Sequence, residues 1–247
     1  MGGRGEDNQL IQLIANIVGC GVASAKALEY TIRVMAHRRT TLYGASVLSA
    51  LALTGAYPRW GIWPVASIAL VPYLIVAWMR AECYAWYDIW LATFVMISGW
   101  YLASIWWLAY VTPTGMSVLS LFIGLLYATI LTGAWAMVRC GAPRWCAFAV
   151  GWLTCETVVT YLMTGFPWML LGYAWRPWLA IIQFSDIAGA YGVSLVIVMV
   201  NCGCAVVWRM VVTRNVTRAK AGGVAAVAIA VIAIDRKSTR LNSSHYS

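Results

Sequence analysis

"MTGFPWMLLGYAW", Met163–Trp175, is the stretch on which the reading of this chain turns. It follows an apolar run, Trp145–Met163, that reads as a helix. Phe166-Pro167 ends that helix, because a proline disfavours the helical conformation in the residue before it. Gly165 and Gly172 let the backbone fold back closely. Trp168, Tyr173, Trp175 and Trp178 carry amphipathic rings of the kind that settle at the headgroup level of a bilayer. Pro167 and Pro177 both interrupt the apolar segment Gly165–Ser185, which is therefore expected to be a re-entrant or interfacial loop. Two roles fit these residues equally: an aromatic belt that anchors the helices, or a platform that admits lipid chains to an external site.

Composition sets the surroundings of that loop. The 247 residues are 62% hydrophobic and 10% charged, with a mean hydropathy of +0.77. A soluble domain carries about 25% charged residues. The chain also holds 15 Trp, which suits an integral membrane protein. The net charge of +9 marks loop positions rather than nucleic-acid contacts, since no basic stretch interleaved with aromatics is present. Seven Cys are scattered without a CxxC pair, and only two His exist, so no metal site is expected. No cofactor motif appears: there is no P-loop, no dinucleotide fingerprint and no grouping of Ser, His and Asp.

An all-α, polytopic transmembrane bundle of about seven spans follows. Residues 1–40 form a polar and interfacial segment, with helical apolar spacing over residues 10–36. The transmembrane domain covers 41–234. Its spans are Thr41–Tyr57, Gly61–Met79, Trp86–Val111 (ended by Thr112-Pro113), Met116–Val138, Trp145–Met163 and Ile187–Trp208, each near the length a bilayer requires, and a seventh, shorter Ala221–Ile234. Residues 235–247, ending "RKSTRLNSSHYS", resemble a translated sequencing adapter and are expected to be non-native.

Charge fixes the expected orientation. By strict alternation one side receives Lys26, Arg33, Arg38, Arg39, Arg80, Arg139, Arg144, Arg209, Arg214, Arg218 and Lys220; the other receives only Arg59 and Arg176. The positive-inside rule puts the N terminus in the cytoplasm and the loop Gly165–Trp168 on the outer face.

Ionisable groups inside a membrane are functional candidates by default. Glu156 lies eight residues before Thr164, about 12 Å along the helix axis, and thus below the turn. It either meets a substrate group, pins the broken loop, or is a structural carboxyl between helices. Asp186 is expected to cap the sixth helix. Asn201 is expected to bond between helices, and Gly189, Gly192 and Ser194 to permit close helix contact.

"TGFPWMLLGYAW" followed by "QFSDIAGAYGVSLVIVMVN" resembles the membrane domain of apolipoprotein N-acyltransferases. "YPRWGIWPVASIALVPYL" and "GWYLASIWWL" look like that family's first hairpin and its aromatic third span. The resemblance covers roughly residues 41–234. It implies a bacterial inner-membrane enzyme in which a membrane bundle supports an external nitrilase-like domain with a Glu–Lys–Cys triad. The family's cysteine takes an acyl chain from a phospholipid as a thioester and passes it to the N terminus of a diacylglyceryl apolipoprotein, two covalent steps. No triad residue is carried over here, and the match implies a copy truncated before that domain. Gly165, Phe166, Pro167, Trp168 and Tyr173 match the family's lipid-entry loop. Glu156 matches an acidic position usually followed three residues later by Arg, which is Val159 here. The rival reading is a small transporter or lipid-binding membrane protein. A transporter would show internal repeats and paired broken helices, and the sequence displays one broken region and no repeat.

Overall fold

The computed structural model describes residues 22–57, 59–162 and 167–213. Among these, every element is helical. The chain divides into two compact units, 1–42 and 43–247. The described part of the first unit is helical from Val22; the hydroxyls of Thr40 and Thr41 there donate to the carbonyls of Ala36 and His37. The expected interfacial helix over 10–36 lies partly outside the described residues. Its remainder and the expected first span form one helix, α1 (Val22–Ala56), with no break between them.

In the second unit the next element is not the regular span expected at Gly61–Met79. Segment α2 (Trp63–Trp78) consists of a 3-10 turn, Trp63–Ser67, one α turn, Val71–Tyr73, and a π turn, Leu74–Trp78. Pro64 and Pro72 are the cause, because a proline removes a backbone donor and its ring clashes with the carbonyl four residues back. The chain thus has a second broken segment, which sequence reading missed. Side chains from neighbouring helices satisfy its freed backbone. Asn201 accepts from the Leu70 N–H at 2.9 Å and donates to the Ala66 carbonyl at 2.8 Å. The Ser49 hydroxyl accepts from the Tyr73 N–H at 3.1 Å. Asn201 therefore makes interhelical bonds, as its position suggested.

Helix α3 (Trp86–Ser104) stops seven residues short of the expected Val111. Trp106–Tyr110 forms a 3-10 turn, and Thr112-Pro113 opens the following helix instead of closing this one. The Thr112 hydroxyl accepts from the Gly115 N–H at 3.1 Å, and Pro113 occupies the first turn, where its missing N–H costs nothing. Helix α4 (Pro113–Arg139) ends at Gly141, which takes the left-handed region at φ 101°. Helix α5 (Arg144–Leu162) agrees with the expected fifth span within a residue at each end. Arg144 at its start pairs with Glu82 in the turn after α2. Helix α6 (Leu179–Thr213) begins eight residues before the expected sixth span and is interrupted at Gly189, whose φ of 66° leaves the helix. The expected seventh span and the tail lie outside the described residues.

Three helical stretches among the described residues are long and apolar enough to cross a membrane: α4, α5 and Ala188–Val212 of α6. Helix α3 has the length, 19 residues, but its Trp, Tyr and Asp88 lower its hydropathy. Many large apolar side chains of α4 face outward, among them Val118, Leu121 and Leu125, as lipid contact requires.

The bundle core is aromatic. Trp152 on α5 contacts Trp100 on α3 (ring centroids 6.2 Å), Tyr127 on α4 (5.5 Å, edge-on) and Phe148 (5.8 Å). Phe148 in turn meets the edge of Trp78 at 4.8 Å. Trp78, Trp100, Trp135 and Trp152 are all fully buried, so a good share of the tryptophans fill the interior rather than an interfacial belt. Small residues let the helices close on these rings. A Cβ added at Gly124 would come within 3.3 Å of the Phe94 carbonyl and strike the Ser98 side chain; one at Gly151 would sit 2.8 Å from the Ala134 Cβ. Gly124→Val is expected to destabilise the bundle by about 1–3 kcal/mol through overpacking, seen as a lower midpoint of thermal unfolding in detergent. An unchanged midpoint would show that α3 and α4 do not pack this closely.

Candidate functional site

The site is the segment between α5 and α6. Gly165 and Phe166 lie outside the described residues. From Pro167 the chain makes two 3-10 turns, Pro167–Met169 and Leu171–Trp175, before entering α6. The segment has one exposed face and one buried face. Trp168 is 54% exposed and Tyr173 42% exposed, whereas Met169, Leu170, Leu171, Gly172 and Ala174 are buried. Trp175 is also buried, at 3% exposure, and so packs against protein rather than standing free. The backbone of this segment therefore runs inside the bundle.

Non-helical backbone at membrane depth persists only where protein groups satisfy it. Here Tyr57, just past the end of α1, and one side chain each from α5 and α6 bond to three successive residues. The Tyr57 hydroxyl donates to the Leu170 carbonyl at 2.8 Å and approaches that of Met169 at 3.2 Å. Glu156 Oε1 on α5 accepts from the Leu171 N–H at 2.7 Å and from the Trp152 indole N–H at 3.0 Å. The Ser194 hydroxyl on α6 accepts from the Gly172 N–H at 2.8 Å. Glu156 is fully buried, so these bonds form where no water competes. Its second oxygen, Oε2, makes no hydrogen bond among the described residues.

Gly172 is dictated by space. A Cβ there would stand 2.6 Å from the Ala190 carbonyl and 3.2 Å from the Ser194 nitrogen, so only glycine lets the segment lie on the α6 backbone just past the Gly189 break. Beside that contact lies a cavity of about 170 Å3, lined among the described residues from the loop side by Tyr173, Trp175 and Arg176 and from the α6 side by Ser185, Ala190 and Val193. On the exposed face, the Trp168 ring stacks on Trp107 at 5.4 Å, 26° from parallel. Trp178 lies between Trp175 (5.4 Å) and Trp63 of α2 (5.8 Å), so the two broken segments meet through indole rings.

Of the two acids expected in apolar surroundings, Glu156 is buried and joined to the segment. Asp186 is exposed and lies inside α6, three residues before the break, rather than capping the helix start. The buried acid that sequence reading passed over is Asp88, in the first turn of α3. Tyr57 and Ser194 were also missed as partners of the loop. Nothing local in the sequence links a tyrosine at the end of α1 to carbonyls more than a hundred residues later. No group of His, Cys, Asp or Glu among the described residues is arranged to hold a metal.

Glu156→Leu would orphan the Leu171 and Trp152 donors, each worth about 1–3 kcal/mol. A loss of about 2–4 kcal/mol in unfolding free energy is expected, with Glu156→Gln close to wild type because its amide oxygen still accepts both bonds. Equal losses for both variants would mean that the carboxylate charge, not the acceptor, holds the segment.

The model for the apolipoprotein N-acyltransferase N-terminal domain matches residues 49–203 of this chain. The apolipoprotein N-acyltransferase of Geobacter metallireducens is 30% identical over 171 residues, covering 64% of this chain and 32% of that protein. That of Rhodopirellula baltica is 31% identical over 172 residues, covering 65% of this chain and 30% of its own length. That of Brucella melitensis is 31% identical over 113 residues, 41% of this chain and 21% of the relative. The matched part of the chain thus spans about a third or less of the curated relatives.

Proposed function

This chain belongs to the apolipoprotein N-acyltransferase family, matching its N-terminal domain, and from that membership we propose that it forms the membrane part of an enzyme that moves an acyl chain from a phospholipid to the N-terminal diacylglyceryl-cysteine of an apolipoprotein. In this reading the protein sits in a bacterial inner membrane with about seven spans, its N terminus in the cytoplasm. The segment Gly165–Tyr173 faces outward and receives the lipid. The covalent steps belong to a Glu–Lys–Cys triad in a nitrilase-like domain, and no residue of this membrane part is assigned to it.

The observation that supports this role is the two-faced build of the segment. One side is locked by Tyr57, Glu156 and Ser194; the other presents Trp168 and Tyr173 outward. A mere anchor has no use for a buried backbone held by side chains from elsewhere in the bundle, because exposed rings on a helix end would serve as well. A lipid platform does, since rings held on a fixed backbone keep a defined position for a chain passing over them. Glu156 acts in this scheme as a positioning residue.

The second broken segment, α2, is the one feature that favours a transporter. Transporters pair such breaks in corresponding positions of two repeats, and no repeat is visible in this sequence.

The test is photo-crosslinking in nanodiscs with a phospholipid carrying a diazirine on its acyl chain. Labelling is expected to concentrate on the peptide containing Trp168 and Tyr173 and to fall several-fold in Trp168→Ala. Labelling spread evenly over the outward faces of α4 and α6, unaffected by that substitution, would contradict the proposal.

A further inference from the structure

A further broken stretch meets the loop on its exposed side. Helix α3 ends at Ser104, and Trp106–Tyr110 continues as a 3-10 turn. Ile105 is buried at the start of that turn, while Trp106 and Trp107 are partly exposed. The turn satisfies part of its own backbone: the Leu108 N–H donates to the Ile105 carbonyl at 2.9 Å, and the Val111 N–H to the Leu108 carbonyl at 3.1 Å. It also packs against α4. Its two indoles are therefore presented from a held backbone, and each meets a different neighbour.

Trp106 receives Arg59. The guanidinium carbon lies 4.5 Å from the centroid of the Trp106 ring, well within cation–π range. Arg59 belongs to the turn after α1, where the Trp60 and Gly61 N–H groups both donate to the Tyr57 carbonyl. Trp107 receives Trp168, with ring centroids 5.4 Å apart and planes 26° from parallel, a stacked arrangement of the kind aromatic pairs favour.

These contacts close on themselves. From Tyr57 the path runs through Arg59 to Trp106, through the neighbouring Trp107 to Trp168, and along the loop to Leu170, whose carbonyl accepts from the Tyr57 hydroxyl at 2.8 Å. The loop is thus gripped on its buried side and on its exposed side from one turn. A held backbone does not by itself fix an exposed ring, since exposed side chains change rotamer within nanoseconds. Trp168 is such a ring, and the face it lays on Trp107 confines it.

We propose that Trp107 is a positioning residue: it holds the Trp168 ring in one orientation, and Arg59 secures it there through Trp106. The positioning stands on these contacts alone. Its consequence for function rests on the reading of the loop as a platform, where a ring fixed in direction guides what passes over it and a freely turning ring does not.

The experiment labels the full chain in nanodiscs with 5-fluorotryptophan and reads the fluorine NMR signal of Trp168, assigned by its loss in Trp168→Phe. Trp107→Leu removes the facing ring at a partly exposed position. The Trp168 signal is expected to narrow and to shift towards that of a free indole, while the midpoint of thermal unfolding stays unchanged. Trp107→Phe keeps an aromatic face and is expected to hold the signal near its wild-type place. Arg59→Gln is expected to move it in the direction of Trp107→Leu, but less. Crosslinking from the diazirine lipid to the peptide containing Trp168 is expected to fall several-fold in Trp107→Leu and to persist in Trp107→Phe. Should Trp107→Leu not fold, Trp107→Gln takes its place with the same expectations. A Trp168 signal unmoved by loss of the Trp107 ring, or shifted as far by Trp107→Phe as by Trp107→Leu, overturns the proposal. Crosslinking unchanged while the signal moves overturns its consequence for the platform. If the unsubstituted chain is not crosslinked at Trp168 while Trp107→Leu still moves the signal, the platform reading falls and the positioning role stands.

Discussion

The bond between Glu156 Oε1 and the Leu171 N–H, 2.7 Å long and fully buried, is the constraint around which this structure is arranged. A chain that leaves helical geometry within a bilayer exposes donors and acceptors that lipid cannot satisfy. Every such group must find a protein partner. Glu156 supplies one partner, and Tyr57 and Ser194 supply the adjacent ones. The cost of placing a carboxyl in an apolar interior is thereby offset by an amide and an indole that would otherwise be orphaned.

Other features follow from that requirement. For Ser194 to reach the Gly172 N–H, α6 must approach the segment at backbone distance, which needs glycine at 172 and a break at Gly189. For Trp152 to reach Glu156, its ring must turn inward, where it becomes the hub of the aromatic core. The second broken segment obeys the same rule with a different side chain. Asn201 uses both ends of its amide on the backbone of α2, so that α6 carries the satisfying group for each irregular stretch. One helix thus ties together two segments that sequence spacing could not relate.

The sequence displayed the parts of this arrangement that are local. Pro167 and Gly172 announce a break, the apolar runs give α5 to within a residue at each end and α4 to within three, and Glu156 stands out as an acid in apolar surroundings. It misled where one residue type serves two ends. Thr112-Pro113 reads as a helix stop and is a helix start, because a threonine cap and proline at the first position fit an N terminus equally well. Tryptophan suggested an interfacial belt, yet Trp78, Trp100, Trp135, Trp152 and Trp175 are buried, since packing against other rings competes with the interface for the same side chain. Pro64 and Pro72 were visible, but in an apolar run they were absorbed into a span. The pairings of Tyr57 and Ser194 with the loop were not legible at all, because they depend on which helices become neighbours.

The most direct measurement of the central claim is hydrogen–deuterium exchange of the Leu171 and Gly172 amides in the chain embedded in nanodiscs. If Glu156 and Ser194 hold this backbone, both amides exchange as slowly as those in the middle of α4 and α5, and Glu156→Leu releases Leu171 while α4 stays protected. Rapid exchange of both amides in the unsubstituted chain would contradict it, because it would place the segment in water rather than in the grip of Glu156 and Ser194.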